Sequence, residues 1–138
     1  MAYIPKSKSD KWATPPELKA EIYAKYKLTF DPCPIDWKHG DADGLEIEWH
    51  DGTFVNPPYS AVKHWIKKAA EEHKKNKTVV MLINAITDTK AFHEYIYKKK
   101  NVEVEFIQGR IKFINPEEPE KRAPNVKASM LVIFKKDD

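Results

Sequence analysis

The chain has 138 residues, 41% of them hydrophobic, which suits one domain with its own core and excludes two. No apolar run is long enough for a membrane span, and the single cysteine, Cys33, excludes a disulfide framework, so a cytoplasmic setting is expected. The net charge of +3 permits a polyanionic partner without requiring one, and the four glycines form neither a dinucleotide-binding nor a P-loop motif.

The first predicted elements are a helix and a short strand. Thr14 is a candidate helix cap, Pro15 suits the first helical position, and Glu17 has the spacing of a capping box. We expect this helix to extend to about Lys27. The following strand should cover residues 28–30, because Pro32 and Pro34 prevent it from continuing.

The rest of the chain alternates predicted strands with predicted helices. Strands are recognised by short apolar or alternating runs, and helices by apolar side chains at helical spacing. The predicted strands cover residues 53–55, 78–83, 102–107, 111–114 and 126–134, and the predicted helices cover residues 60–75 and 89–99. Two segments are expected to be irregular: residues 35–52, with an extended piece near 45–49, and residues 115–125, whose prolines and charges favour an exposed, mobile loop.

This alternation of strands and helices predicts an α/β fold. Crossover helices favour a mostly parallel sheet, and the last strands, which no helix separates, favour an antiparallel C-terminal edge. A basic arm, residues 1–11, precedes what we read as a single domain ending at residue 138. Ligands of such sheets bind outside the carboxyl ends of the strands, so the residues that directly follow strands 28–30 and 53–55 form the candidate site.

The segment Asn56-Pro57-Pro58-Tyr59 has the composition of a binding site for an amine on a planar ring. Two successive prolines stiffen the backbone and remove two N–H donors, which leaves outward carbonyl groups. Asn56 adds a side-chain carbonyl, and Tyr59 adds an aromatic face for a base extruded from a helix. Two acceptors on the protons of an exocyclic amine favour a localised lone pair, so the amine can attack without a strong general base.

Several segments together resemble the small phage-type family of DNA N-6-adenine methyltransferases. Asn-Pro-Pro-Tyr is typical of S-adenosylmethionine-dependent amino-methyltransferases, which act on adenine N6, cytosine N4 or a protein glutamine. The other matching segments, in the family's order, are Asp10–Pro15, Phe30–Cys33, Asp43–Leu45 with Trp49, and Gly109–Phe113. The resemblance covers roughly residues 10–134 and implies a reduced Rossmann-like methyltransferase sheet.

The resemblance also implies roles for the matching residues. Asn56 and the Pro57 carbonyl are expected to bind the target amine, and Tyr59 is expected to stack on the base. Pro58 is expected to keep the backbone of this segment rigid. The residues expected to bind S-adenosylmethionine are Trp12, Thr14, Pro15, Asp31, Pro32 and Cys33. Asp31 is expected to face the methionine end of the cofactor.

DNA is the partner that the resemblance implies. The basic turn at Arg110 and Lys112 is expected to lie near the phosphate backbone, although Arg110 can equally pair with the acidic residues in 117–120. The chain is too short for a separate recognition domain, so we expect either a short or relaxed site preference or a homodimer that completes the DNA surface. For a viral enzyme, the expected location is the host cytoplasm.

The chain departs from the usual methyltransferase pattern between its two motifs, of which the first is Asp31-Pro32-Cys33-Pro34 and the second is Asn56-Pro57-Pro58-Tyr59. Only 22 residues, 35–56, stand where two strands and their crossover helices are normally found. The acidic residue that usually binds the ribose should lie there, and Asp43, Glu46 and Glu48 are unranked candidates. The motif itself leaves open a methyltransferase for cytosine N4, RNA or a protein glutamine, and the missing strands leave open an inactive nucleic-acid-binding relative.

Other residues in the segment that joins the motifs have uses besides catalysis. Trp37 and Trp49 suit either the core or the wall of a cofactor pocket. Cys33, His39 and His50 are too scattered for a typical metal site, so no metal is expected.

Overall fold

A computed structural model describes residues 12–137, except for the side chain of Lys121. The predicted basic arm, residues 1–11, lies outside the described residues. The helices are α1 (Pro16–Tyr26), α2 (Val62–Lys74) and α3 (Lys90–Tyr95), and a short 3-10 turn (Tyr59–Ala61) precedes α2. The strands are β1 (Thr53–Val55), β2 (Val79–Asn84), β3 (Val102–Phe106), β4 (Lys112–Asn115), β5 (Glu118–Pro124) and β6 (Ser129–Phe134).

The main sheet has four strands in the order β1-β2-β6-β3. β1 and β2 are parallel, whereas β6 is antiparallel to both β2 and β3. The α/β class is therefore confirmed and the sheet is mixed: three of its four strands run in one direction, but the antiparallel C-terminal strand does not lie at the edge, where the sequence predicted it. β6 follows a hairpin instead of a crossover helix, so it enters the sheet in the opposite direction and lies inside it, between β2 and β3.

The segment predicted as an exposed loop, residues 115–125, instead forms most of a hairpin. β4 and β5 pair antiparallel, with an irregular register between Ile114 and Asn115. Ala13 bridges to Ile114 on the other side of β4, which leaves β5 at the edge of this small sheet. Prolines are tolerated in an edge strand because no neighbour needs their missing N–H groups.

The other boundaries differ in length or type. The strand predicted at residues 28–30 is reduced to a single parallel bridge between Phe30 and Thr53. Residues 45–49 begin in a turn instead of an extended piece, and α3 stops at Tyr95, short of the predicted residue 99. The helix predicted at 60–75 and the buried strand at 78–83 are confirmed to within two residues.

The core consists of two apolar layers, one on each face of the sheet. Val79, Met81 and Ile83 of β2 pack towards α2 and α3, together with Trp49 and Trp65 among others. Val80 and Leu82 pack on the opposite face against apolar residues of α1 and β4. β2 is thus buried on both faces, which explains its unbroken apolar sequence.

The loop before β1 supports the first motif from behind. Trp49 is almost fully buried, stacks on Trp65 with ring centroids 6.1 Å apart, and donates its Nε1 proton to the Gly44 carbonyl at 2.7 Å. Gly44 lies so close to Pro32 that a Cβ there would stand 2.0 Å from the Pro32 oxygen and 2.7 Å from the Trp65 ring. Trp49 therefore belongs to the core, and Gly44 is required for close backbone approach.

Gly44→Ala is expected to destabilise the fold by about 1–3 kcal/mol, because neither the Pro32 backbone nor the packed Trp65 ring can yield easily. Chemical denaturation measures the loss. Gly40→Ala is the control, since a Cβ at Gly40 meets nothing within 4 Å and only its left-handed φ of 103° opposes the change. A smaller loss at Gly44 than at Gly40 would contradict the packing argument.

Candidate active site

The two motifs predicted to form the site lie at the same edge of the sheet. Phe30 pairs in parallel with Thr53, and its carbonyl accepts the Phe54 N–H at 2.8 Å. Asp31 therefore follows one extended segment, and Asn56 follows the neighbouring strand β1, at their carboxyl ends. This is the arrangement that the sequence predicts.

A cavity of about 190 Å³, called here the polar cavity, opens between these motifs. Its lining residues are Trp12, Ala13, Thr14, Pro16, Lys19, Asp31, Cys33, Ile35, Phe54 and Asn56. Four of the six residues predicted to bind the cofactor thus share one cavity with the predicted catalytic asparagine. Pro15 and Pro32 are not among its lining residues.

The amide of Asn56 is held in one orientation by the segment before α1. Its Nδ2 donates to the Trp12 carbonyl at 3.2 Å and to the Thr14 hydroxyl at 3.0 Å. Both amide protons are used in these bonds, so the Oδ1 atom is the part of the side chain left to accept a hydrogen bond. Ala13, between the two acceptors, is itself fixed by its bridge to Ile114.

The contact with Asn56 replaces the capping role predicted for Thr14. The N-cap of α1 is Pro15, no side chain caps the helix, and Pro16 instead of Pro15 occupies the first helical position. Glu17 forms an ion pair with Arg122 of β5, and the hydrogen bond from this guanidinium lowers the pKa of Glu17. The predicted capping box is therefore wrong, because both of its side chains have distant partners.

Asp31 is mostly buried and has two partners. Its Oδ1 accepts the Cys33 N–H at 2.9 Å, and its Oδ2 lies 3.2 Å from Lys19 Nζ. The side chain of Asp31 is 15% exposed. Lys19, on α1, was not predicted from the sequence, and it gives the polar cavity a cation beside the carboxylate.

Two aromatic residues complete the electrostatics around the polar cavity. Trp12 Nε1 is buried without a hydrogen-bond partner among the described residues. Burial, and then the negative charge of Asp31, raise the pKa of Tyr23 to about 12, so its hydroxyl remains protonated at neutral pH. Neither group adds a charge to the cavity wall, where Asp31 and Lys19 supply an anion and a cation.

A second cavity of about 210 Å³, called here the apolar cavity, lies on the other side of the Asn-Pro-Pro-Tyr segment. Its lining residues are Pro57, Tyr59, Val62, Ile66, Ile83, Asn84, Ile86, Thr89, Phe92 and Lys127. Tyr59 is 39% exposed, which leaves part of its side chain accessible. The segment thus contributes Asn56 to the polar cavity and Pro57 and Tyr59 to the apolar cavity.

The candidates for ribose binding lie elsewhere. Asp43 Oδ1 accepts the Leu45 N–H at 2.9 Å within its own turn, and Glu48 lies 3.4 Å from Lys77. Glu46 does not line the polar cavity either. Trp37, the other unassigned residue of this segment, is exposed and donates its Nε1 proton to the Ala42 carbonyl.

The basic turn before β4 presents its charges to solvent. Arg110 and Lys112 are exposed, whereas Ile111 and Phe113 between and after them are buried in the core. Arg110 forms no ion pair with another residue in the described range 12–137, so the predicted alternative of pairing with residues 117–120 is not observed. Both cations are therefore accessible to an anionic partner.

Two structural findings bear on other classes of protein. None of the helices in the described part of the chain is long and apolar enough to cross a membrane. Within residues 12–137, no group of three or more histidine, cysteine, aspartate or glutamate side chains is arranged to hold a metal ion.

Comparison with known proteins agrees with the chemistry of this site. Residues 2–137 match the family described as Dam, DNA N-6-adenine-methyltransferase, and the chain belongs to that family. It is also 34% identical over 140 residues to the DNA N-6-adenine-methyltransferase of Haemophilus phage HP1 (strain HP1c1), a match that covers 94% of this chain and 80% of the phage protein. The resemblance and the enzyme class predicted from the sequence, DNA adenine-N6 methyltransferase, are confirmed.

Proposed function

We propose that this chain transfers the methyl group of S-adenosylmethionine to the N6 amino group of adenine in DNA at the segment Asn56–Tyr59. The observation that carries the proposal is the amide of Asn56, which Trp12 and Thr14 hold at the wall of the polar cavity while Pro57 and Tyr59 of the same segment line the apolar cavity. The N6 amine has two protons, for which Asn56 Oδ1 and the Pro57 carbonyl are the proposed acceptors. Tyr59 is the proposed stacking surface for the base.

The polar cavity has the donor and acceptor groups that the amino-acid end of S-adenosylmethionine requires. Asp31 suits its ammonium group, while Lys19 suits its carboxylate. The cavity is smaller than the ~300–1,000 Å³ that enclose a drug-sized ligand, so we assign only this end of the cofactor to it.

The proposed reaction depends mainly on positioning. When bound, the cofactor supplies a methyl group on a positively charged sulfur. Asn56 and Pro57 hold the two protons of the amine, which favours a localised lone pair and aligns it for attack. The attacked nitrogen becomes acidic as its new bond forms, so its excess proton passes to solvent water without a strong base at the site.

Two further points belong to the proposal. We regard the whole chain as a single domain built on a reduced Rossmann-like sheet, because β1, β2 and β3 run in one direction with α2 and α3 as their connections. We assign Arg110 and Lys112 to the DNA backbone, because both are exposed cations at the start of the β4–β5 hairpin, whose Ile114 pairs with Ala13 beside the polar cavity.

The proposed reaction is tested with S-adenosylmethionine carrying a labelled methyl group and with DNA, RNA and protein offered in parallel. We expect label in DNA, recovered after digestion as N6-methyladenine. Label in N4-methylcytosine, RNA or a protein glutamine would contradict the proposal. Calorimetric binding of the cofactor without transfer to any substrate would support the inactive alternative.

Tyr59→Phe should retain methyl transfer, whereas Tyr59→Ala should lose it, since the ring face and not the hydroxyl contacts the base. The loss of one base-aromatic contact corresponds to about 1–3 kcal/mol, measured as the ratio of kcat/KM values for DNA. Equal losses in both variants would show that the hydroxyl is the important group.

Asp31→Ala should weaken the binding of S-adenosylmethionine, because it removes the carboxylate proposed for the ammonium group. Titration calorimetry measures the Kd, and circular dichroism confirms that the variant is folded. Asp36→Ala, an exposed aspartate of the following loop, is the matched control. An unchanged Kd for the folded Asp31 variant would remove this residue from the cofactor site.

A further inference from the structure

The turn between β5 and β6 presents an apolar side chain to solvent. Val126 is 87% exposed, more than any other large hydrophobic residue in the described part of the chain. Its exposure gains nothing for the stability of the fold, since an apolar side chain stabilises a protein only when it leaves water. A bound partner that covers Val126 would remove this apolar surface from water and so gain binding energy.

The turn is firmly attached on the side that precedes Val126. The backbone N–H of Asn125 donates to the Ile111 carbonyl at 2.8 Å, and its Nδ2 donates to Asn84 Oδ1 at 2.8 Å and to Ser129 Oγ at 3.3 Å. Asn125 Oδ1 also accepts the Lys127 N–H at 3.2 Å, which closes the turn around Val126. The valine is therefore displayed by an ordered turn.

The same bonds place the turn beside the apolar cavity. Asn84, the partner of Asn125, lines that cavity, and so does Lys127, the residue after Val126. Tyr59 and Ile86, which also line it, are 39% and 38% exposed. The exposed valine thus stands between two residues anchored at the cavity that contains the proposed stacking surface for adenine.

We propose that Val126 enters the DNA duplex and fills the space that the target adenine leaves when it turns into the apolar cavity. This inference rests on the proposed function. The vacated space is bounded by the apolar faces of the neighbouring bases, and an apolar side chain fills it without leaving a polar group unpaired. Filling it stabilises the extruded state, so Val126 affects the population of the reactive complex and not the transfer itself.

The experiment compares two duplex oligonucleotides that contain an adenine methylated by the wild-type enzyme. One has thymine opposite that adenine, and the other has an abasic position there, which removes the pairing that extrusion must break. V126A is expected to methylate the paired duplex about tenfold more slowly than wild type, and the abasic duplex at the wild-type rate. V126L, whose apolar side chain is still large enough to fill the space, should methylate both duplexes as wild type does.

Phe106→Ala is the matched control, since Phe106 is an exposed apolar residue of β3, 65% exposed, that lines neither cavity. It should behave as wild type on both duplexes. An unchanged rate of V126A on the paired duplex, or an equal loss on both duplexes, would overturn the inference. Wild-type enzyme that methylates neither duplex nor other DNA would overturn the proposed function, and this inference with it.

Discussion

Asn56→Ala is expected to lower the rate of methyl transfer by about 10²–10³-fold, the effect typical of removing one preorganised hydrogen-bonding group from an active site. Affinity for S-adenosylmethionine should change little, because Asn56 is proposed to bind the target amine and not the cofactor. Its hydrogen bond to the amine should be strongest in the transition state. Single-turnover transfer of labelled methyl measures the rate, and calorimetry measures the affinity. A variant that keeps more than about a tenth of the wild-type rate, a loss below ~1.4 kcal/mol, would refute this role.

Variants of Thr14 test whether catalysis needs the orientation of the Asn56 amide as well as the amide itself. Thr14→Val keeps the size of the side chain but removes one of the two acceptors that hold the Asn56 amide. Its kcat should fall about fivefold, in line with the ~1 kcal/mol of one hydrogen bond, and Thr14→Ser, which keeps the hydroxyl, should retain the wild-type kcat. A rise in the KM for S-adenosylmethionine without a change in kcat would instead place Thr14 in direct contact with the cofactor.

The elements that the sequence predicted well are those whose patterns are local and strong. The apolar spacing of α2 and the unbroken apolar run of β2 predicted the boundaries of both elements to within two residues. The position of β6 was not predictable in the same way, since strand order depends on partners distant in sequence. Residues 115–125, mistaken for a loop, form most of the β4–β5 hairpin that precedes β6, and β6 lies between β2 and β3.

A similar distinction applies to the site. Asp31 and Asn56 were predicted to converge because both follow strands, a rule that needs no knowledge of side-chain partners. The capping role predicted for Thr14 was wrong and Lys19 was given no role, since their partners are 42 and 12 residues away in the chain. From the local sequence alone, a threonine before proline suggests a helix cap, and a lysine on a helix suggests a charge in solvent. Only the tertiary contacts reveal their distant partners.

The structural role of Glu72 was also not predictable from the sequence, because this residue lies among charged residues near the end of α2. Its side chain is 1% exposed, and its Oε1 accepts the Trp49 N–H at 2.8 Å and lies 2.9 Å from Lys77 Nζ. Its Oε2 lies 3.0 Å from Lys75 Nζ and 3.4 Å from Lys68 Nζ. Glu72 thereby ties the end of α2 to the Trp49 loop, which supports the first motif.

The ionisation of Glu72 should make the stability of the fold dependent on pH. Burial raises the pKa of this carboxyl, but Lys77, the Trp49 N–H, Lys75 and Lys68 outweigh burial and lower the pKa from 4.5 to about 2. Because the folded pKa lies below the unfolded one, ionised Glu72 contributes its full stability above about pH 4.5, and this contribution is lost as the pH falls towards 2.

Glu72→Gln is therefore expected to cost about 3 kcal/mol of unfolding free energy at pH 7, which corresponds to the difference between the two pKa values. The difference from wild type should narrow steadily between about pH 4.5 and pH 2, since protonation removes the same charge from the wild-type side chain. Urea denaturation across this range measures it, with the exposed neighbour Glu71→Gln as the control that should differ little from wild type. A difference that stays constant from pH 7 to pH 2 would mean that the packing of Glu72, and not its charge, holds the Trp49 loop to α2.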